Sequence, residues 1–397
     1  MTTKNELFEK IEAQKEKLWE MADFIFDHPE YRGKEYQACD LLTKYLTDNG
    51  FSVEKSVGGY ETSFRAEWKH GEGGPVIGIL CEYDALEGLG HGCGHHMQGP
   101  AILGAAKALK DAAIDAPYTI TVYGTPAEES ISGKVVMLEN GCTFEELDVA
   151  LMMHGGPATQ VDVKSLALNK LKIIYHGVCS HAALKPEKGR SALDGLILAC
   201  QGVEFLREHV PSDVRMHYTI VNCGGTAANV VSGYAEASMY VRSYSRTELD
   251  GVVARVRKVL QGAAMMTETE VEIIEEKSLD NKIPVLALNE LVMEQAEKVH
   301  APCIRPARQK TGSTDFGNVM RHVPGTCIRV AFVPEGAAAH SQEYLDAGKT
   351  EAAHNAVVYG AKILALTGAQ LIENPEKLDA IKKEFHENLT KELNGQS

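Results

Sequence analysis

The sequence predicts an α/β protein in two parts: an outer domain built on a sheet with flanking helices, and a smaller α/β sandwich inserted into it. Three observations lead there. Strand-length apolar runs alternate with helix-periodic segments from Phe51 to Met153. From about Asn169 the pattern becomes strand, long helix, two strands around Gly224-Gly225, helix and strand, and near Val285 the earlier alternation resumes. The chain has 397 residues, more than one hydrophobic core usually serves. The expected boundaries are residues 1–168 and 278–397 for the outer domain and 169–277 for the insertion.

Each element has its own reason. Leu7, Ile11, Leu18, Ala22 and Ile25 recur at helical spacing before Asp27-His28-Pro29, which predicts one amphipathic helix stopped by the proline. A second helix runs from about Lys34 to the Asn49-Gly50 stop. Strands are expected at Phe51 to Val57, Ser63 to Trp68 and, after the turn Gly71-Glu72-Gly73-Gly74, Pro75 to Cys81. Further strands fall at Tyr118 to Tyr123 and Asp148 to Met153, with helices from Gly99 and over Ser132 to Asn140. In the insertion, a strand at Leu171 to His176, helices at Ser191 to His209 and Glu248 to Met265, and a strand at Glu270 to Ile274 make a compact sandwich of about 110 residues. Helices at Val285 to Val299 and Thr350 to Thr367 then bracket a strand at Cys327 to Val333, and the charged tail after Glu373 reads as a solvated terminal helix.

Composition narrows the function. A content of 44% hydrophobic and 24% charged residues is that of a globular protein with a sizeable core. Fifty-five acidic against 40 basic side chains leave a net charge of −15, which opposes binding to nucleic acid or to anionic lipid. No apolar run suggests a membrane span, and the start MTTKNELFEKIEAQKEKLWE resembles neither a signal nor a transit peptide, so a cytoplasmic location is expected. Nine cysteines without a secretory signal read as reduced thiols, available as metal ligands.

The densest polar cluster is Gly90-His91-Gly92-Cys93-Gly94-His95-His96, just after Glu82-Tyr83-Asp84. Three imidazoles and a thiol among glycines are not expected to pack as a core, because each ring nitrogen needs a hydrogen bond or a ligand, and they are good donors for zinc-like ions. Glu128-Glu129 follows a predicted strand; alone an acidic pair is usually solvated surface, but at a strand end one carboxylate can hold a metal while the other takes a proton. His154 and His340 each follow a strand and are ambiguous singly. Together these four loops supply Cys, His and Glu donors around one sheet, which suits a catalytic metal centre. In the insertion, His181, Asn229 and Arg242 are groups able to bind an oxyanion or a carboxylate. Ser313 and Asp315, in Gly312-Ser313-Thr314-Asp315-Phe316-Gly317, suggest a helix cap that is also able to touch substrate.

These stretches, EYDALEGLGHGCGH (82–95), GTPAEES (124–130), LMMHGGP (151–157), SHAALKPEKGRSALDG (180–195), NCGGTAANVV (222–231), GSTDFGNV (312–319) and AAHSQEY (338–344), resemble the M20 metallopeptidase and amidohydrolase family. Within it they are similar to the branch of aminoacylase-1-like protein 2 and the aminobenzoyl-glutamate hydrolase subunits. The resemblance implies a mixed-sheet metallohydrolase domain holding two divalent ions, Zn²⁺ or Mn²⁺, interrupted by a lid domain that mediates homodimerisation. It makes Cys93 the bridging ligand, completed by His95, Glu129, His154 and His340, with Glu128 as general base and Asp84 orienting a ligand. His181, reaching a partner subunit's site, and Asn229 would stabilise the oxyanion; Arg242 would hold a substrate carboxylate. The implied substrate is a small amide with a free carboxylate, an N-acyl amino acid or a dipeptide. His96 and Gln98 depart from the usual Asn or Asp and His after the Cys-Gly-His triplet, which leaves open the imidazole that completes the second site.

Overall fold

A computed structural model gives the fold and describes residues 4–112 and 114–395. Its contacts divide it into two compact units, Met1–Lys164 with Lys282–Thr390, and Ser165–Asn281 with Lys391–Ser397. The division lies a few residues outside the expected boundaries because the strands Ala167–His176 and Glu270–Leu279 are longer than their apolar runs. The end of the last helix goes with the second unit, where the Glu392 carboxylate accepts hydrogen bonds from Ser245 Oγ at 3.1 Å and the Arg246 amide at 2.7 Å.

The first unit is built on an eight-stranded sheet in the order Ser52–Lys55, Phe64–His70, Tyr118–Gly124, Val76–Cys81, Val149–Gly156, Gly325–Ala331, Gln160–Ser165, Arg308–Thr311. Its four central strands, Tyr118–Gly124, Val76–Cys81, Val149–Gly156 and Gly325–Ala331, run parallel, while Phe64–His70 and Gln160–Ser165 flank them antiparallel, so the sheet is mixed. Strand alternation sorts the side chains to two faces: Ile77, Ile79, Val149, Leu151 and Met153 join one core, while Leu80, Ala150 and Met152 join another. The helices Gln98–Ala112 and Glu351–Glu373 pack together on the first face. Because the central strands are parallel, their carboxyl ends share one edge of the sheet, the place where open α/β folds put their sites.

In the second unit an antiparallel sheet in the order Glu270–Leu279, Ala167–His176, Tyr234–Ser243, Arg215–Asn222 packs against the helices Ala192–Leu206 and Arg246–Thr267. Both helices start on a serine cap: Ser191 accepts from the Asp194 amide and Ser245 from the Glu248 amide.

Some expectations need correction. The N-terminal helix is two, Lys4–Glu12 and Lys15–Asp27, because Gln14 turns its amide into Lys10 O and Gly104 O, each at 3.2 Å, and pins a break between them. The tail helix Pro375–Leu393 is more than a solvated face, since Leu378, Ile381 and Phe385 are buried in the core. The 23-residue helix Glu351–Glu373 is long and apolar enough to cross a membrane, but 78% of its apolar window is buried inside the fold, which accounts for its hydrophobicity. The strands Gln160–Ser165 and Arg308–Thr311 carry too much charge for their apolar patterns to reveal them.

Candidate metal centre

The carboxyl ends of the four parallel strands deliver the donors. After Val76–Cys81 come Glu82 and Asp84; after Tyr118–Gly124, Glu128 and Glu129; within the last turns of Val149–Gly156, His154; and beyond Gly325–Ala331, His340. Cys93 and His95 flank Gly94, whose φ of +88° is a left-handed backbone that glycine adopts without strain and that turns both side chains the same way. Two other left-handed residues lie at the site, Ala127 (φ 62°), just before Glu128, and His340 itself (φ 64°); strain of this kind persists where the surrounding structure holds it.

The donors form two triads, Cys93-His95-His154 and Cys93-Glu129-His340, within each of which one ligand atom per residue lies within 4.8 Å of the others. Cys93 belongs to both. Its Sγ is 3.6 Å from His154 Nε2, and His340 Nε2 is 3.2 Å from Glu129 Oε1. Asp84 organises both triads: its Oδ1 lies 3.1 Å from His95 Nδ1, and its Oδ2 accepts the Glu129 amide at 3.0 Å. A proton on His95 Nδ1 directed at Asp84 leaves Nε2 as the donor, and His154 Nδ1, 2.7 Å from Gly155 O, leaves its Nε2 toward Cys93 in the same way.

The electrostatics draw positive charge to this point. Pairing with Cys93 and Glu129 outweighs burial and pushes His340 up to about 10. Burial opposes ionisation of Glu129, but His340 and His95 pull it down to about 2. Burial and the neighbouring Arg329 bring His154 down to about 3, so its ring is neutral, the form that ligates. Among the described residues Glu129 Oε1 is buried and makes no hydrogen bond of good geometry, the ion pair with His340 notwithstanding. A shared cysteine sulfur, an orphaned carboxylate oxygen and oriented imidazoles fit a pair of divalent cations.

Glu128 lines the same cavity, and burial, then repulsion from Asp315, Glu82 and Glu129, raises it to about 8. Behind it lies an ion network that the residue spacing did not signal. Lys134, fully buried, donates to Glu82 Oε1 at 2.5 Å and Asp315 Oδ1 at 2.7 Å, while its amide donates to Asp315 Oδ2 at 3.0 Å. Gln98 Nε2 reaches the other Glu82 oxygen at 2.7 Å. Asp315 is therefore neither a side-chain cap for Phe316–Val319 nor, with both oxygens taken and no exposure, a residue of the cavity wall. Ser313 does line the cavity, and its Oγ is buried without a hydrogen-bond partner among the described residues.

Two of the loop's three imidazoles leave the cluster. His91 and His96 are buried against Phe26, at ring-centroid distances of 6.2 and 4.9 Å, and His96 Nε2 meets Gly348 O at 2.8 Å. A neutral imidazole packed on an aromatic ring is tolerable core after all, and burial holds His96 down at about 4. His96 joins neither donor triad.

In the second unit His181 and Asn229 are neighbours. Ser180–His181 pairs with Val230–Val231, His181 opposite Val230, and Ala182 N donates to Asn229 O at 3.0 Å. His181 is exposed and its Nδ1 accepts the Ala183 amide at 3.2 Å, which puts the proton on Nε2. Arg242 stands at the other end of Tyr234–Ser243 from the residue paired with His176, its guanidinium over the Tyr240 ring at 5.4 Å.

A donor set of this composition at the carboxyl edge of a mixed α/β sheet, with a paired glutamate beside it, defines a metal-dependent hydrolase. Residues 79–366 match the profile of peptidase family M20/M25/M40, and the chain belongs to that family. It is 30% identical to one of the subunits of the p-aminobenzoyl-glutamate hydrolase of Escherichia coli (strain K12), over 96% of this chain and 94% of that one. It is 34% identical to the Xaa-Arg dipeptidase of Mus musculus, over 95% and 90% respectively. The fold matches the crystal structure of the Bacillus subtilis YXEP protein, described as a dinuclear metal-binding peptidase from the M20 family, with a TM-score of 0.70 at 20% identity over 91% of this chain and 98% of that one.

Proposed function

We propose that this chain hydrolyses the amide bond of an N-acyl amino acid or dipeptide-like substrate with a free carboxylate. The observation that carries the reading is the sharing of Cys93 between two donor triads, with Glu128 and Glu129 alongside. Cys93, His95, Glu129, His154 and His340 would hold a cation pair, zinc or manganese, which when bound would supply Lewis acidity and lower the pKa of water.

The chain's own groups do the rest. Glu128 accepts the proton of the attacking water and returns it to the leaving amine, a role suited to a carboxyl whose pKa burial and like charge bring to about 8. Asp84 keeps the His95 ring and the Glu129 backbone in place. His181 offers its Nε2 proton to the oxyanion of a partner subunit in a homodimer, Asn229 assists, Arg242 pairs with the substrate carboxylate, and Ser313 supplies a hydroxyl to the bound amide. The names of the relatives, a hydrolase of p-aminobenzoyl-glutamate and a dipeptidase, support amide cleavage next to a carboxylate-bearing residue. Cleavage of dipeptides with recognition of the free amine is the second reading, favoured by the 34% identity to the mouse dipeptidase.

Reconstitution with zinc or manganese followed by a panel of acylated amino acids, dipeptides and aryl amides tests this, with amine release as the readout. Glu128→Gln should keep its metal and lose about 10²–10⁴ in kcat. Near-wild-type turnover in a metal-loaded Glu128→Gln protein would remove Glu128 from the role.

A further inference from the structure

The cavity of about 440 Å³ that contains the donors has a second, basic wall. Its lining includes Glu82, Glu128 and Glu129, and also Lys282, Arg308 and Arg329, which gather round one aspartate, Asp162. Three strands bring this about: Gln160–Ser165 carries Asp162, Arg308–Thr311 carries Arg308, and Gly325–Ala331 carries Arg329, in register with His154. Asp162 Oδ1 accepts Arg308 Nε at 2.7 Å, and Oδ2 accepts Arg329 Nε at 3.1 Å with Lys282 Nζ 3.7 Å away.

An ion cluster that only tied the strands together would use up its donors, and this one does not. Arg308 spends Nε on Asp162 and Nη2 on Thr311 Oγ1, and Arg329 spends Nε on Asp162 and Nη1 on Gly155 O. Among the described residues no hydrogen bond reaches Arg308 Nη1 or Arg329 Nη2, and both side chains line the cavity. Asp162, with its side chain only 1% exposed, is already shared by three cations and fixes the two guanidiniums as a preorganised pair of forks. Arg329 Nη1 lies 3.2 Å from the His154 ring, so a group bound by Arg329 sits beside one of the candidate metal donors.

We propose that Arg308 and Arg329 form an anion subsite that takes a second carboxylate of the substrate, carried on its amino-acid side chain or its acyl chain. The substrate class is then a dicarboxylic amide. This rests on the amide-hydrolase reading above and adds a charge requirement to it.

Isosteric pairs isolate the charge: N-acetylglutamate against N-acetylglutamine, and N-succinylalanine against its succinamoyl counterpart. In the metal-loaded protein the charged member of at least one pair should be favoured about tenfold or more in kcat/KM, the scale of a charge-assisted hydrogen bond. Arg308→Gln should shrink that preference to about threefold or less. No separation in either pair, or a preference that survives Arg308→Gln, overturns the subsite. Calorimetric titration of glutarate into the same metal-loaded proteins reads the subsite without turnover, and the variant should bind about tenfold more weakly; equal binding also overturns it. If no amide in the panel is cleaved, the amide-hydrolase reading fails and the glutarate titration still decides the subsite. Should the glutamine variant not fold, Arg308→Lys replaces it with the same expected direction, because an ammonium cannot present two coplanar N–H groups.

Discussion

Lys134→Met should be among the most damaging single changes available outside the metal donors themselves. The Lys134 side chain has no exposure, and its partners Glu82 and Asp315 are 3% and 0% exposed. Burial alone would strip the charge from all three, yet Asp315 and Glu82 hold the Lys134 ammonium protonated, and Lys134 with His95 and His154 keeps Glu82 well below the usual carboxylate range. Methionine fills a similar volume but leaves two carboxylates buried without their cation. Breaking a buried pair in this way costs about 3–5 kcal/mol. Urea unfolding followed by tryptophan fluorescence is the suitable assay, since the chain's two tryptophans, Trp19 and Trp68, both lie in the first unit and report that unit alone. With a slope of about 3 kcal/mol/M, the midpoint should fall by about 1 M or more.

A second variant separates the orphaned-charge argument from simple loss of packing. Burial and the charge of Glu82 push Asp315 up despite Lys134, so of the two carboxylates Asp315 is the costlier to keep ionised once the ammonium is gone. Adding Asp315→Asn to Lys134→Met should therefore recover part of the loss, while its amide oxygen still accepts the backbone N–H of residue 134. A single-variant cost below about 1 kcal/mol, or a double variant as unstable as the sum of the singles, would refute the reasoning.

Three further outcomes are expected. Cys93→Ala removes the donor common to both triads, so metal content measured by elemental analysis should fall for both ions together; retention of two ions per chain would contradict a bridging thiolate. In a homodimer with shared sites, verified heterodimers of His181→Ala and Glu128→Gln subunits should regain activity that neither homodimer has, and no recovery would count against sharing. Glu35, buried and bonded to the Gly33 amide and Thr62 Oγ1, is pushed up to about 7 by burial and the charge of Asp84. The folded state thus binds the extra proton, so stability should decline as pH rises from 4.5 to about 7, by about 3 kcal/mol. Glu35→Gln, compared with wild type by chemical unfolding across that range, should abolish this slope, and parallel curves would show that Glu35 ionises normally.

Much of the site was legible because its donors follow strands. An apolar run that stops at a glycine or proline beside His154 or Glu128-Glu129, or at the acids Glu82 and Asp84, marks a strand end, and parallel strands bring such ends to one edge whatever their distance in the chain. Lys134, Arg308 and Asp162 carried no such mark, since each is one charged residue among others until the fold buries it. Arg329 did leave a trace, a lone charge inside Gly325-Thr326-Cys327-Ile328-Arg329-Val330-Ala331, where a buried strand admits a guanidinium only with a partner waiting. The same reasoning fails in the opposite direction for the histidine loop, where composition marked three imidazoles alike and the fold treats them differently. His95 meets the carboxylates of Asp84 and Glu82 and becomes a donor, whereas His96 meets a carbonyl and Phe26 and becomes core. The candidate ligand is marked out by acids on the neighbouring strand end rather than by the loop that carries the ring. Replacing Glu82 or Asp84 should therefore disturb His95 ligation more than any change at His96, even though His96 is its immediate neighbour in the chain.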